Sequence, residues 1–328
     1  MKDLAKRAIL ASGALRLASP GNSAAILMYH SVMPHPPEHA DSLGGIIHSE
    51  PEFRAQMELL ARDYHPVSLG DVVGSLNKDV DLPSRSVVVT FDDGYTDNSE
   101  VAMPLLNQLG IPATFYVTVD CVQHRKLPWP SRLRYAFRKT KVAAWNEGRG
   151  TSWELTDFES RERAYLASCD QCCQLSGKVQ EDFVRTTEEQ LRVSLPSGLS
   201  SLMMSYDQIR ALVQHGHIVG SHTMTHPNMA HITKDEAQIE LAESKQCLEA
   251  ELKAAVTHFS YPCPALTPHW SQQTLEQSRA VGYESAVTTD GGVTRRGDDP
   301  LSLKRIRPTK TLAGLRWNLE CAFAGRAV

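Results

Sequence analysis

Short β-branched runs alternate with helical patterns along most of this chain, and that alternation limits the possible folds more than any other feature. Ala25-Ile26-Leu27-Met28-Tyr29 reads as a buried strand ending at His30. Residues 51–62 place Phe53, Met57 and Leu60 at helical spacing, with Pro51 near the first turn. Ser86-Val87-Val88-Val89-Thr90-Phe91 is the strongest strand, and the helix predicted after it, over about 97–109, stops at Gly110 and Pro112. Residues 113–118 form another strand. A helix from near Ser205 to Gly216 leads into the strand His217-Ile218-Val219, and Thr233 and Glu236 are spaced as a capping box opening a helix to about Lys253. A strand at 257–260, a helix at 271–281 and a strand at 284–287 complete the series. Strands separated by helices imply a mainly parallel sheet covered by helices, either doubly wound or closed into a barrel.

The alternation lapses between about Cys121 and Leu202. Charged, helix-like segments at 131–145, 157–178 and 186–193 occur there without a convincing strand. The stretch reads as a helical insertion, a lid over one face or a decoration remote from any site. The expected organisation is a basic N-terminal segment, residues 1–22, and one domain over 23–328 interrupted at about 121–202.

Composition narrows the function classes. With 41% hydrophobic residues, the 328-residue chain can bury a sizeable core. A formal net charge of -4 gives no general grip on nucleic acid, so no nucleic-acid partner is expected. No apolar run approaches the roughly 20 residues of a membrane-spanning helix. Seven cysteines, an odd and irregular set, fit a reducing compartment. Near the N-terminus, Lys2, Lys6 and Arg7 precede Ile9-Leu10-Ala11, but Gly13, Arg16 and Ser19 break the run before it becomes a signal-peptide core. The expected location is therefore cytoplasmic. The same segment could lie as a short basic helix on the inner face of a membrane, giving peripheral contact, or be an ordinary terminal helix.

Parallel α/β folds place their active sites at the carboxyl ends of the strands. Here His30, Asp92-Asp93-Gly94, His222-Thr223-Met224-Thr225-His226 and Tyr261-Pro262-Cys263-Pro264 each follow a strand. Adjacent residues leaving a strand point in different directions, so one aspartate can coordinate a cation while the other takes a proton. An Asp-Asp-Gly is also ordinary turn chemistry. His222 and His226, four apart, share a face if their loop makes a helical turn. Two imidazoles and a carboxylate form a ligand set for catalytic zinc with one position open, although paired histidines also cap helices or decorate surfaces.

These residues carry a family resemblance. Val88-Val89-Thr90-Phe91-Asp92-Asp93-Gly94-Tyr95 is similar to the first motif, T-F-D-D-G, of the polysaccharide deacetylases with a NodB homology domain, a carbohydrate esterase family. Gly220-Ser221-His222-Thr223-Met224-Thr225-His226-Pro227 resembles the second, H-S/T-x-x-H with its flanks, and Phe259-Ser260-Tyr261-Pro262 resembles the third. Ile26-Leu27-Met28-Tyr29-His30 resembles the opening of a branch whose histidine motif is N-terminal. The likeness spans about 24–287, apart from the insertion.

The resemblance implies a distorted (β/α) barrel and metal-dependent removal of N-acetyl groups from the amino sugars of a glycan or glycan precursor. It implies Asp92 as general base, Asp93, His222 and His226 as ligands of a divalent metal, zinc first, His30 as general acid, and the Cys263 amide as donor to the oxyanion. In two places the chain departs from the pattern. Ser260 stands where the family has an arginine that tethers the base, and Cys263-Pro264 replaces Tyr-Gly. Two other functions remain open: a deformylase or other amide hydrolase acting on a small or lipid-linked sugar, and a catalytically silent carbohydrate-binding protein.

The remaining candidates have plainer readings. Cys169, Cys172 and Cys173 lack a second ligand pair and read as structural. The Cys263 thiol reads as a small apolar filler, with metal ligand or nucleophile as the alternatives. His35, His39 and His48 read as solvated loop residues, with substrate contact as the alternative. Trp129, Trp145 and Trp153 read as packing residues, with stacking on sugar rings as the alternative. Arg295, Arg296, Lys304, Arg305, Arg307 and Lys310 read as a solvated basic face, with an anionic lipid or diphosphate carrier as the other option.

Overall fold

A computed structural model of the protein describes residues 22–34, 46–76, 80–148, 150–196, 198 and 202–326, together with Leu10 and Leu15. Apart from Leu10, Leu15 and Asn22, the N-terminal basic segment lies outside the described residues, as do His35 and His39.

Seven parallel strands follow one another around the sheet in chain order: β1 (Ser23–Tyr29), β2 (Ser86–Phe91), β3 (Ala113–Val117), β4 (Ile218–Ser221), β5 (His258–Ser260), β6 (Ser285–Gly291) and β7 (Leu303–Arg305). The sheet nearly closes on itself. Just after β7, the Ile306 N–H donates to the Ile26 carbonyl at 2.7 Å, and the Met28 N–H donates to the Ile306 carbonyl at 3.1 Å. The short strand Thr294–Arg295 pairs antiparallel with β1. This is the distorted α/β barrel that the alternation and the resemblance imply.

Both faces of the strands are buried, so they read as continuous apolar runs. One side of β1 to β3 (Leu27, Tyr29, Val89, Phe91, Phe115) packs against α1 (Glu50–Asp63) through Phe53, Met57 and Leu60. The alternate residues Ile26, Val88 and Tyr116 meet Val287 and Leu303 from across the barrel, together with Leu69, Val72 and Leu76 of α2 (Leu69–Leu76). In the register, Tyr29 lies beside Phe91, Phe91 beside Phe115 and Val117 beside Ser221. The chain therefore leaves β1, β2, β3 and β4 at one rim.

The predicted helix over 97–109 is broken into a π-helical stretch, Asn98–Ala102, and α3 (Met103–Leu109). Pro104, near the start of α3, has no N–H to continue the regular ladder. Beyond β3 come α4 (Val119–Gln123) and the insertion: α5 (Trp129–Lys139), α6 (Phe158–Cys172) and α7 (Gly177–Gln190). The insertion has its own core of Trp129, Leu133, Phe137, Trp145, Tyr165, Cys169, Cys172 and Val184. The three clustered cysteines are structural, as read.

The boundaries within the insertion differ from expectation. The helix expected over 131–145 ends at Lys139, and a hairpin of Ala144–Asn146 with Ser152–Glu154 follows, pairing Trp145 with Trp153. Three-residue strands are too short to register as periodicity. The helix expected over 157–178 stops at Cys172, and residues 186–193 continue α7 rather than starting a helix. The series ends with α8 (Tyr206–Gln214), α9 (Lys234–Leu252), α10 (Gln272–Val281) and α11 (Leu312–Phe323); Thr233 and Glu236 form the expected capping box.

Candidate active site

The rim at the carboxyl ends of the strands opens into a cleft of about 160 Å³, lined in part by His30, Asp92, Asp93, His222, His226 and Cys263. All six residues singled out from the sequence therefore line one cleft, although they come from four separate strand ends.

Asp92 leaves β2 with its N–H bonded to the Tyr29 carbonyl at 3.0 Å, which pins the turn to β1. Asp93 then adopts φ +76, and Gly94 φ +91, with room for a Cβ only 3.3 Å from Val122. The histidine loop is contorted as well, with Thr223 at φ +67 and His226 at φ +62. A left-handed conformation at a non-glycine residue costs on the order of 1–3 kcal/mol and persists only where the surroundings enforce it. Here they do. The His222 N–H donates to the Val117 carbonyl at 2.9 Å, and Val119 and Asp120 N–H groups donate to the Thr223 and Met224 carbonyls at 3.1 and 3.0 Å. The His226 N–H donates to Thr223 Oγ1 at 2.9 Å, and the Trp129 indole donates to the His226 carbonyl at 2.9 Å. Trp129 is thus a buried positioning residue, and Trp145 is buried in the insertion core, so neither ring is free to stack on a sugar.

Glu240 of α9 holds the middle of the same loop. Its buried carboxylate accepts from the Met224 and Thr225 N–H groups at 2.8 and 2.9 Å and from Thr225 Oγ1 at 2.5 Å. Sequence reasoning missed this residue, because a glutamate in a charged helix carries no signal that it faces inward.

The central trio lies close together. Nε2 of His222 and of His226 stand 3.5 and 3.4 Å from the same oxygen of Asp93, and all three side chains are buried. One ligand atom from each falls within 4.8 Å of the others. His222 Nδ1 lies 2.7 Å from the Ser260 carbonyl, so that nitrogen carries the proton and Nε2 turns its lone pair toward Asp93. Asp93 Oδ1 has no hydrogen-bond partner among the described residues. A lone pair facing a carboxylate oxygen in a buried pocket requires a cation or a shared proton between them. Burial and the neighbouring Asp92 charge push the Asp93 carboxyl up to about 8, and burial holds both histidines below their usual range. These residues fit a divalent cation with two nitrogen ligands and one oxygen ligand.

Asp92 behaves in the opposite way. Burial alone would raise its carboxyl, but the Arg305 guanidinium and the nearby histidines hold it well below the usual carboxylate range. Arg305 of β7 is fully buried and donates a fork of two bonds to Asp92, at 2.8 and 2.7 Å. It also donates to Ser260 Oγ at 3.1 Å and to the Thr288 carbonyl at 2.8 Å. This corrects the reading of Arg305 as part of a solvated basic face. Arg305 thus comes from another strand to bond both Asp92 and Ser260, the residue that the resemblance aligns with the motif's arginine.

His30 also lines the cleft, with its carbonyl bonded by Asn98 Nδ2 at 2.7 Å from the π-helical stretch. Burial pushes its imidazole down to about 4, and Asp92 is the neighbour that favours its protonated form. Cys263 is half-buried in the cleft wall. His48 departs from expectation: it lies buried on the strand Ile47–Ser49, its ring 5.1 Å from that of Tyr29, rather than in solvent. The insertion forms part of the cleft wall through Ser131, Arg134 and Tyr165, so it is not a decoration remote from the cleft.

Comparison with known proteins shows the family and the fold. The family model described as polysaccharide deacetylase matches residues 79–147 and 179–286. YxkH of Bacillus subtilis (strain 168), named for polysaccharide deacetylation, is 23% identical over 290 residues, which is 88% of this chain and 72% of that protein. Among solved structures, the Streptococcus pyogenes deacetylase PplD in complex with acetate shares the fold with a TM-score of 0.61 at 19% identity, covering 93% of this chain and 99% of that one. IcaB from Ammonifex degensii superposes with a TM-score of 0.58 at 20% identity, covering 92% and 97%. With more than half of its length matched by the family model, the chain belongs to the polysaccharide deacetylase family, whose reaction is removal of acetyl groups from a polysaccharide.

Proposed function

We propose that the protein is a metal-dependent N-deacetylase acting on an amino sugar of a glycan or glycan precursor, with Asp93, His222 and His226 holding a divalent cation, zinc first. The observation that carries this reading is the buried trio whose acceptor atoms converge beside a carboxylate held charged by Arg305. When bound, such a cation acts as a Lewis acid on the amide oxygen and lowers the pKa of water.

The other residues handle protons and orientation. Asp92 takes the proton of the attacking water, and Arg305 keeps it ionised and aimed for that purpose. His30 rests as a neutral imidazole, so it can serve as general acid only with a proton gained during the reaction. The proton released to Asp92 is the one the departing amine needs. The shared cleft and the electrostatic coupling of Asp92 with His30 support a relay between them. The Cys263 amide is assigned to the oxyanion, a donor type worth on the order of 10²–10³ in rate. Its thiol has no part in the reaction.

Acetate release from N-acetylated oligosaccharides by the metal-supplemented protein tests the reading. Asp92→Asn and His222→Ala should each lower turnover by at least about 100-fold, the scale of one general base or more. A chelator should abolish activity and added Zn²⁺ should restore it. Undiminished turnover in either variant, with its circular dichroism unchanged, refutes the assignment.

A further inference from the structure

Besides the residues that hold Asp92, the catalytic cleft contains two further cations. Arg134 projects from α5 of the insertion and Arg307 follows β7, so they enter the cleft from different parts of the fold. Neither has a carboxylate within 4 Å among the described residues, although ion pairs are common elsewhere on the molecule. On the same helix, Arg132 is fully committed to Glu181 and Glu188. Arg134 instead stacks on the Tyr165 ring, 4.8 Å from its centroid, and donates to its hydroxyl at 3.1 Å, while its buried Nε has no partner. The ring orients the guanidinium without neutralising it. Arg307 is exposed and close enough to His30 to disfavour its protonation.

Tyr165 also borders a second cavity of about 440 Å³ beside α5 and α6, where Arg138, Lys139 and Arg161 stand among Asp157 and Glu162 and the Arg138 guanidinium lies 3.7 Å from Glu162, so the cations there are compensated as those in the cleft are not. Arg138 sits one helical turn from Arg134, on the same face of α5.

We propose that the natural substrate is an anionic glycan, with a carboxylate or phosphoryl group on or next to the acetylated amino sugar, bound between Arg134 and Arg307. This inference rests on the deacetylase reading above. Two guanidiniums in a cleft with no carboxylate beside them would repel a positively charged chain, and a neutral one would give them acceptor oxygens but no counter-charge. An oxyanion answers both, because guanidinium matches carboxylate and phosphate geometry.

The test uses wild-type protein with three matched N-acetylated trisaccharides: neutral, carboxylated on the neighbouring sugar, and phosphorylated there. The acetate-release kcat/KM should be at least about tenfold higher for one anionic form than for the neutral one at low salt, with the preference shrinking as salt rises. Comparing the carboxylated and phosphorylated forms identifies the anion. Arg307→Gln, an exposed substitution that should not disturb folding, and Arg134→Gln should each bring the anionic-to-neutral ratio toward one. Equal turnover of all three forms, or an unchanged ratio in both variants, overturns the proposal while leaving the deacetylase reading intact. Calorimetric binding of the three deacetylated products to the wild-type protein decides the question separately from turnover. Tighter binding of an anionic product supports the site even if the acetyl group is not the one removed, and equal binding overturns it.

Discussion

Arg305 shows how much of this site depends on one side chain that has no local signature. Its fork to Asp92 bridges residues 213 positions apart in the chain. Replacing it with alanine leaves a buried carboxylate without its counter-charge, a change that costs on the order of 3–5 kcal/mol. With the guanidinium gone, burial dominates and the Asp92 pKa rises. The base is then protonated at higher pH, so the acid limb of the rate profile should move upward. Arg305→Lys keeps the charge without the fork and should shift the limb less. A pH–rate profile unchanged in Arg305→Ala would disprove the tether. The sequence pointed to Asp92, Asp93, His30, His222, His226 and Cys263 because each stands within a few residues of a strand end, and the fold brings all six to one cleft. Arg305 and Glu240 were not legible, since charged residues in charged stretches look solvated until the fold turns them inward.

At the scale of elements, the metal loop is a strained segment held from two sides. Glu240 of α9 clamps Met224 and Thr225, while Trp129 of α5 grips His226. Glu240→Ala should weaken metal affinity by about 10- to 100-fold, the usual cost of losing a partner that orients a ligand, with a smaller loss for Glu240→Gln, which keeps acceptor oxygen. Competition with a chromophoric chelator measures this directly; unchanged affinity in Glu240→Ala would show the clamp to be structural only. The strand feeding the loop is equally constrained. A Cβ at Gly220 would lie 2.8 Å from the His258 carbonyl and 2.5 Å from the Tyr116 ring. Gly220→Ala should therefore cost about 1–3 kcal/mol by overpacking between β3, β4 and β5, visible as a lower midpoint in urea. The hairpin inside the insertion escaped the sequence reading because its strands are three residues long. The capped helices α1, α9 and α10 did not, since periodicity accumulates over several turns, whereas α11 went unread.

Across the whole molecule, burial also sets the response to acid. His48, His217, His258 and His269 are all pushed by burial to about 4. In the unfolded chain each would titrate near 6.5. Between those values the unfolded state binds protons that the folded state refuses, so stability is full above about pH 6.5 and falls as pH drops toward 4. Asp93, raised to about 8, Asp97, raised by burial to about 6, and Glu240, also raised by burial, act in the opposite sense, but the four imidazoles together with the lowered His30, His222 and His226 outnumber them. The melting temperature should fall between pH 7 and 5, and His217→Gln should flatten the slope. A melting temperature constant across that range would contradict the prediction.

The sequence by itself determined the order of strands β1 to β6, most of the helices between them and the residues at the strand ends, because periodicity, capping and adjacency act over a few residues; α2, β7 and α11 were not read from it. Tertiary structure alone decided that Arg305 holds Asp92, that Glu240 clamps the histidine loop, and that Arg134 and Arg307 share a cleft. Those contacts exist only because the sheet curls until β7 reaches β1 and the insertion folds back over the rim. Local pattern records which way a residue faces along its own element, but not what the closed barrel brings opposite it.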